Sequence, residues 1–218
     1  MDDRTPVVTA LAVNLLVLAK EPRAGRVKTR LCPPCSPVEA AQLAAAALAD
    51  TLGAACASGA DQVVVALDGR PGDWLPDGVQ IVSQGEGQLD QRLAHAWSQM
   101  RGPTVQIGMD TPQVGPDVLD AALDVLDRSE VDASFGPAVD GGWWAVGLRR
   151  PNPLVFVGIP TSRPDTGARQ RERLCHLRLR IHDLPVARDI DDITDARAVA
   201  AEAPRTQFAQ ALRSMGLS

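Results

Sequence analysis

The order of hydrophobic patterns along the chain predicts an α/β fold built on a mostly parallel central sheet. Short apolar or β-branched runs alternate with longer, Ala/Leu-rich, helix-periodic segments. Runs such as QVVVAL (62–67) and TVQIGM (104–109) lack polar alternation, as strands covered on both faces should. No repeat or linker interrupts the series, so residues 1–218 read as a single domain. That length suffices to bury about two-thirds to three-quarters of the unfolded surface without staples.

Taken in order, Leu15–Leu18 form the first buried strand, broken by Pro22 and Gly25. Pro37 to Ser58 is a helix, with Ser36 as N-cap, Glu39 three residues on and Gly59 at its end. Gln62 to Leu67 is a strand, Asp68 to Gly78 a loop, and Val79 to Ser83 a second short strand before helix-like Leu89 to Met100. Thr104 to Met109 is the next strand, stopped by Asp110-Thr111-Pro112; Pro116 to Arg128 is an amphipathic helix with proline in its first turn. Ala133–Phe135 and Trp143–Leu148 are strands around a glycine-rich loop. A polar helix near Arg169–Leu174, an alternating strand at Arg178–Asp183, and helices near Thr194–Ala203 and Thr206–Met215 complete the chain.

A net charge of −5 argues against general nucleic-acid binding, while the local cluster Arg23, Arg26, Lys28 and Arg30 suits an anionic small molecule. Lys20 and Lys28 are the only lysines, and both flank this turn. No uninterrupted apolar run of about eighteen residues exists, and Met1 to Thr5 carry acids rather than a signal peptide's basic start, so a cytoplasmic protein without a membrane segment is expected. Cys32, Cys35, Cys56 and Cys175 then read as thiols. Cys32-Pro-Pro-Cys35 has redox or zinc spacing, but no second such pair exists and His95, His176 and His182 are scattered.

Ligands of open α/β sheets bind beyond the carboxyl ends of the strands, which singles out four loops. The first is the basic turn, whose N–H groups and cations suit a phosphate chain or merely solvate a loop; it lacks both the Walker and the dinucleotide spacing. The second is Gln84-Gly85-Glu86-Gly87. The third is Asp110, a carboxylate available to a hard cation or a turn-former before the helix. The fourth is Asp140-Gly141-Gly142, whose glycines permit close backbone approach or a simple turn. Asp189, Asp191 and Asp192 form a later acidic set, in which Asp192 or Thr194 can cap a helix. The tandem Trp143 and Trp144 alternate across a strand, placing one in the core and leaving the other free to line a pocket.

Together AKEPRAGRVKTRL, QGEGQLDQRL, IGMDTP, GPAVDGGWWAVGL and RDIDDITDA resemble, in order, the motifs of the DUF2064 family, also called selenodomain-associated transferase 1. The resemblance spans about residues 15–200. It implies a Rossmann-like GT-A fold, a three-layer α/β/α sandwich of the nucleotide-diphospho-sugar transferase superfamily, similar to phospholactate and molybdenum-cofactor guanylyltransferases. It further implies a nucleoside triphosphate or nucleotide sugar held by Ala19, Lys20, Arg23, Gly25, Lys28, Arg30, Gln84, Gly85, Gly87 and Arg92, with the 84–87 loop at the base. Lys28 and Asp110 would be catalytic, and Asp110, Asp189 and Asp191 would bind Mg or Mn. Asp140, Gly141, Gly142 and Trp143 would face a small-molecule acceptor. The chain departs from the usual pattern in having Gly108-Met109-Asp110 for a DxD pair, and Thr161-Ser162-Arg163-Pro164 where many relatives have W-S-T-P.

Two chemistries fit. Nucleotidyl transfer to a phosphorylated acceptor is preferred, because a cationic turn stabilises charge at the reacting phosphorus; glycosyl transfer needs that cation mainly on the leaving diphosphate. A non-catalytic nucleotide-binding module and a thiol-redox role for Cys32 and Cys35 are the readings from other classes.

Overall fold

A computed structural model of the chain describes residues 11–217, which leaves the acidic Met1–Thr5 start outside the described residues. Seven strands form one sheet in the order β3-β2-β1-β4-β6-β5-β7: β1 Asn14–Lys20, β2 Gln62–Asp68, β3 Gln80–Ser83, β4 Thr104–Ile107, β5 Ala133–Pro137, β6 Trp143–Leu148 and β7 Ile181–Asp183. Only β6 runs against its neighbours, so the sheet is mixed but mostly parallel. Val17 of β1 lies opposite Val65 of β2 and Ile107 of β4, placing the most apolar strands at the centre.

Alternate residues of each strand feed opposite cores. Leu15, Val17, Val65 and Ile107 pack beneath α1 (Pro37–Ala57) and α3 (Pro116–Asp124). Leu16, Val64, Ala66 and Val146 pack beneath α2 (Leu89–Ser98) and α4 (Thr166–His176). A third cluster joins α1 to α5 (Ile193–Glu202) and α6 (Gln207–Ser214) through Leu43, Ala47, Val199, Phe208 and Leu212.

α1 is therefore covered on both sides: Leu48, Leu52 and Ala55 face the sheet, and Ala40, Leu43 and Ala47 face α5 and α6. This explains its alanine content, since only small side chains let helices approach closely on two faces. It also explains why α1 is long and apolar enough by composition to cross a membrane, at mean hydropathy 1.3, although Glu39, Gln42 and Asp50 interrupt any continuous apolar run. Its start is the expected capping box, with Glu39 N–H donating to Ser36 Oγ at 3.3 Å and Ser36 N–H to the Glu39 carboxylate at 2.7 Å.

The expected strand Arg178–Asp183 is shorter, beginning at Ile181. α4 runs on to His176 and closes in a Schellman turn, with Arg178 N–H on Cys175 O and Leu179 N–H on Leu174 O. Arg178 takes the left-handed position at φ 58°, where glycine is the usual signal. The expected Pro116–Arg128 helix is regular only to Asp124, then tightens into a 3-10 turn over Val125–Asp127.

Candidate active site at the carboxyl edge of the sheet

β1, β2, β3, β4, β5 and β7 all end at one edge of the sheet, and the antiparallel β6 begins there. The candidate residues gather along it.

The basic turn after β1 does not point all its cations outward. Arg23 and Arg26 are exposed, and Gly25 turns the chain at φ 75°. Lys28 sits in the left-handed region at φ 47°, strained for a side chain with Cβ, which swings its ammonium inward. Its Nζ lies 2.7 Å from the Asp110 carboxylate and also donates to the Ile190 carbonyl, with the side chain only 12% exposed. Arg30, two residues on, pairs with Asp191 at 2.5 Å. Ile190 N–H donates to Asp110 O at 3.1 Å. Thus the end of β4 and the segment before α5, about eighty residues apart, are stitched together through Lys28, as the expected convergence requires.

Asp110 is nevertheless not in the tightest acidic group. Carboxylate oxygens of Asp140, Asp189 and Asp191 lie within 4.8 Å of one another. The expected set Asp110, Asp189 and Asp191 thus divides in this structure: Asp110 is paired with Lys28, and Asp140, expected at the acceptor, lies with Asp189 and Asp191. Asp189 is half-buried, and its carboxyl is pushed up to about 6, first by burial and then by the charges of Asp110, Asp140 and Asp191. Such unrelieved repulsion among oxygen ligands is what a divalent cation removes, so the donor set fits Mg or Mn. Asp192 caps α5, accepting from Thr194 N–H at 2.7 Å and Asp195 N–H at 3.1 Å. Capping therefore consumes Asp192 and leaves Asp189 and Asp191 free of that task.

Gly108 stands at the first position of the DxD pair, beside the Asp110 carboxylate: a Cβ there would lie 2.7 Å from Asp110 Oδ1. The Gly141-Gly142 pair serves backbone packing. A Cβ on Gly141 (φ 89°) would meet Pro164 O at 2.0 Å, and Gly167 N–H, at the start of α4, donates to Gly141 O at 2.8 Å. Gly142 also lines the cleft, and Gly167 is a contributor that no sequence signal marked.

Gln84 is 2% exposed, and its amide nitrogen donates to Ala19 O at 2.7 Å and Ala66 O at 2.8 Å. Arg92 donates to Gln84 Oε1 and, at 3.1 Å, to Asp68; Lys20 Nζ lies 4.0 Å from the same carboxylate. Gln84 therefore ties three strands together, Ala19 is core with its carbonyl accepting from Gln84, and Arg92 is paired with Gln84 and Asp68. Gly85 and Gly87 are exposed, at φ 73° and 99°.

Beside the acids opens a 490 Å³ cleft. Its apolar wall is Leu18, Leu89, Leu93 and Trp143, and its polar rim includes Arg30, Asp110, Asp140, Asp189, Asp191 and Arg163. The tandem tryptophans divide as expected: Trp144 is 2% exposed and donates to Pro185 O at 2.8 Å, whereas Trp143 faces the cleft. Thr161 and Ser162, the latter at φ 57°, form a wall that sequence reasoning marked only as a departure from its relatives. Arg30, Asp110 and Asp191 also border a smaller, 260 Å³ hollow lined by Lys20, Arg26 and Lys28, so the cationic turn and the cleft share one rim. Cys32 and Cys35 lie in the α1–α5–α6 cluster, and burial raises the Cys35 thiol.

Among curated protein sequences none matches the chain. Solved structures do. A Desulfovibrio desulfuricans protein provisionally assigned as a nucleotide-diphospho-sugar transferase is 26% identical, with TM-score 0.83 over 94% of this chain and 96% of that one. Rv0371c of Mycobacterium tuberculosis, solved as a complex with manganese, is 23% identical, with TM-score 0.53 over 88% and 98%. The 2-C-methyl-D-erythritol 4-phosphate cytidylyltransferase of Thermus thermophilus is 16% identical, with TM-score 0.54 over 90% and 100%. These neighbours share the GT-A-like α/β fold, and the expected class, transferase, is the class of the first and third. The model of a family described as uncharacterized proteins conserved in bacteria matches residues 40–163, more than half of the chain; the chain belongs to this family, DUF2064.

Proposed function

We propose that this protein is a divalent-metal-dependent nucleotidyltransferase: a phosphate oxygen of a small phosphorylated acceptor attacks the α-phosphorus of a nucleoside triphosphate, the α–β phosphoanhydride bond breaks, and pyrophosphate leaves. The observation that carries the reading is the meeting of the Lys28–Arg30 turn with the Asp140–Asp189–Asp191 cluster on one rim. Asp140, Asp189 and Asp191 would hold Mg or Mn, which supplies charge neutralisation for phosphate oxygens. Manganese in the Rv0371c complex and the cytidylyltransferase likeness support the cation and the chemistry as proposals for this chain.

The chain's own groups do the rest. Arg26 and Arg30 offer donors to a polyphosphate at the rim. Lys28 holds Asp110 and the Ile190 carbonyl in register, fixing the Asp189–Asp191 segment against β4, and so positions the acidic ligands. Trp143 and the leucines of the cleft shed water from the bound acceptor.

Glycosyl transfer from a nucleotide sugar is the second reading, favoured by the name of the Desulfovibrio neighbour. A thermal-shift screen of nucleoside triphosphates and nucleotide sugars, with and without Mg or Mn, tests both. A ligand at a hundredfold excess over Kd stabilises by about 2.7 kcal/mol. Metal-dependent shifts with triphosphates support nucleotidyl transfer, and shifts with nucleotide sugars alone support the second reading. No shift with either rejects both.

A further inference from the structure

One polar side chain in the cleft uses only half of its hydrogen-bonding capacity inside the protein. Gln106 of β4 is 1% exposed, and it lines the cleft between Leu18 and Trp143. Its Oε1 accepts from the indole N–H of Trp97, which is fully buried against Phe156. Indole nitrogen is a donor only, so this contact fixes which way the amide faces: oxygen toward Trp97, nitrogen away from it. Among the described residues no acceptor receives the two Nε2 hydrogens. The nitrogen is not among the fully buried polar atoms that lack partners, so it keeps contact with the cleft, and a donor held facing a cleft in this way is met by what enters it.

The surroundings narrow the ligand. Trp143, packed at a tilt against Phe156, lines the cleft with Leu18, Leu89 and Leu93 as an apolar wall, while Asp140, Thr161, Ser162 and Arg163 surround the opening. A flat apolar body would leave these rim groups unused, and an extended polyphosphate would waste the wall. A sugar ring has one C–H face for an aromatic platform and oxygens around its edge.

We propose that Gln106, oriented by Trp97, is a specificity-determining residue that donates through Nε2 to an oxygen of a sugar ring seated on Trp143. The inference rests on the transferase reading above and adds the residue that selects the substrate. The ring has two possible sources with the same chemistry: a sugar phosphate acting as acceptor, or the sugar of a nucleotide sugar.

Gln106→Glu tests this, because it keeps size and an oxygen for the Trp97 indole but removes the amide donor. Wild type and variant are titrated calorimetrically, with Mg, against nucleoside triphosphates, against the 1-phosphates of glucose, galactose, mannose and N-acetylglucosamine, and against the UDP and GDP derivatives of those sugars. The expected result is unchanged triphosphate binding and about tenfold weaker binding of at least one sugar compound, the scale of one lost hydrogen bond. A loss confined to sugar 1-phosphates assigns the ring to the acceptor; a loss confined to nucleotide sugars assigns it to the donor. Equal sugar affinity in both proteins overturns the role of Gln106. Triphosphate binding without binding of any sugar compound overturns the sugar assignment, and wild type that binds nothing rejects the transferase reading and this proposal with it. A second measurement needs no variant: the side-chain amide resonance of Gln106, identified by its contact with the Trp97 indole proton, should shift with the bound sugar, and an unmoved resonance at saturation contradicts the proposal.

Discussion

Two polar clusters lie on the same edge of the sheet and are built to opposite plans. At the ends of β1, β2 and β3, Gln84, Arg92, Asp68 and Lys20 satisfy one another and the carbonyls of Ala19 and Ala66. Past β4 and β5, Asp140, Asp189 and Asp191 face each other, and among the described residues a cation, the mostly exposed Arg30, pairs with Asp191 alone. The first cluster is complete as folded and holds strands together. The second stores repulsion that a bound cation relieves, which is the mark of a site rather than of a scaffold.

The comparison is broken most severely by neutralising the second cluster. Asp189→Asn should abolish measurable Mg or Mn binding, about a hundredfold loss or more for a hard-cation ligand, while raising the melting temperature of the metal-free protein because a repelled, half-buried charge is gone. Calorimetry and thermal melts together check both signs. A variant with lowered metal-free stability would show that Asp189 is structural.

Gln84→Ala should do the reverse, leaving metal affinity intact and costing about 1–3 kcal/mol as buried donors and acceptors lose partners. Denaturant midpoints measure the cost. Lys28→Ala belongs with it. As a solvated loop lysine Lys28 would cost little, but its ammonium bridges Asp110 and Ile190, so a loss of about 1–3 kcal/mol is expected, together with looser metal binding from a segment no longer anchored. A melt unchanged from wild type would place Lys28 in solvent after all.

The pH dependence separates further. Asp189 has a folded-state value near 6, above that of an unfolded aspartate, so its contribution to stability is full below about pH 4 and is lost as pH rises through 6. Asp132, held far below the usual carboxylate range first by the hydrogen bonds of the Arg180 side chain, contributes in the opposite sense, stabilising at neutral pH and losing that as acid is added. Melting curves from pH 4 to 8 should show the Asp189 decline disappear in Asp189→Asn and reverse when Mg is present. The smallest effect concerns Cys32 and Cys35: replacing both with Ser should leave metal and nucleotide binding unchanged, since both thiols lie among α1, α5 and α6. Loss of binding would give the pair a role.

What the sequence made legible was local or periodic. The Ser36–Glu39 box, the alternation of Trp143 with Trp144, the run of buried strands and the Asp192 cap each follow from spacing along a few residues. What escaped was set by partners distant in sequence. Gln84 looks like an exposed loop residue until the carbonyls of two neighbouring strands converge on it. Asp140 joins Asp189 and Asp191 because β5 ends at the carboxyl edge, so the turn into β6 lies beside the segment that follows β7. Gly141 has to clear the backbone of Pro164 and Gly167 the carbonyls of Gly141 and Gly142, and Arg178 ends α4 in a position where glycine would have announced the turn.

The most direct test of the central claim is a Mn titration, read by calorimetry, of Asp140→Asn beside Asp110→Asn. If the cation belongs to Asp140, Asp189 and Asp191, with Asp110 held by Lys28, then Asp140→Asn weakens Mn binding about tenfold or more, as loss of a charged oxygen ligand should, and Asp110→Asn stays close to wild type. The contrary result, with Asp110→Asn losing the metal and Asp140→Asn retaining it, would return the cation to the end of β4 and remove the distinction between the two clusters on which the account rests.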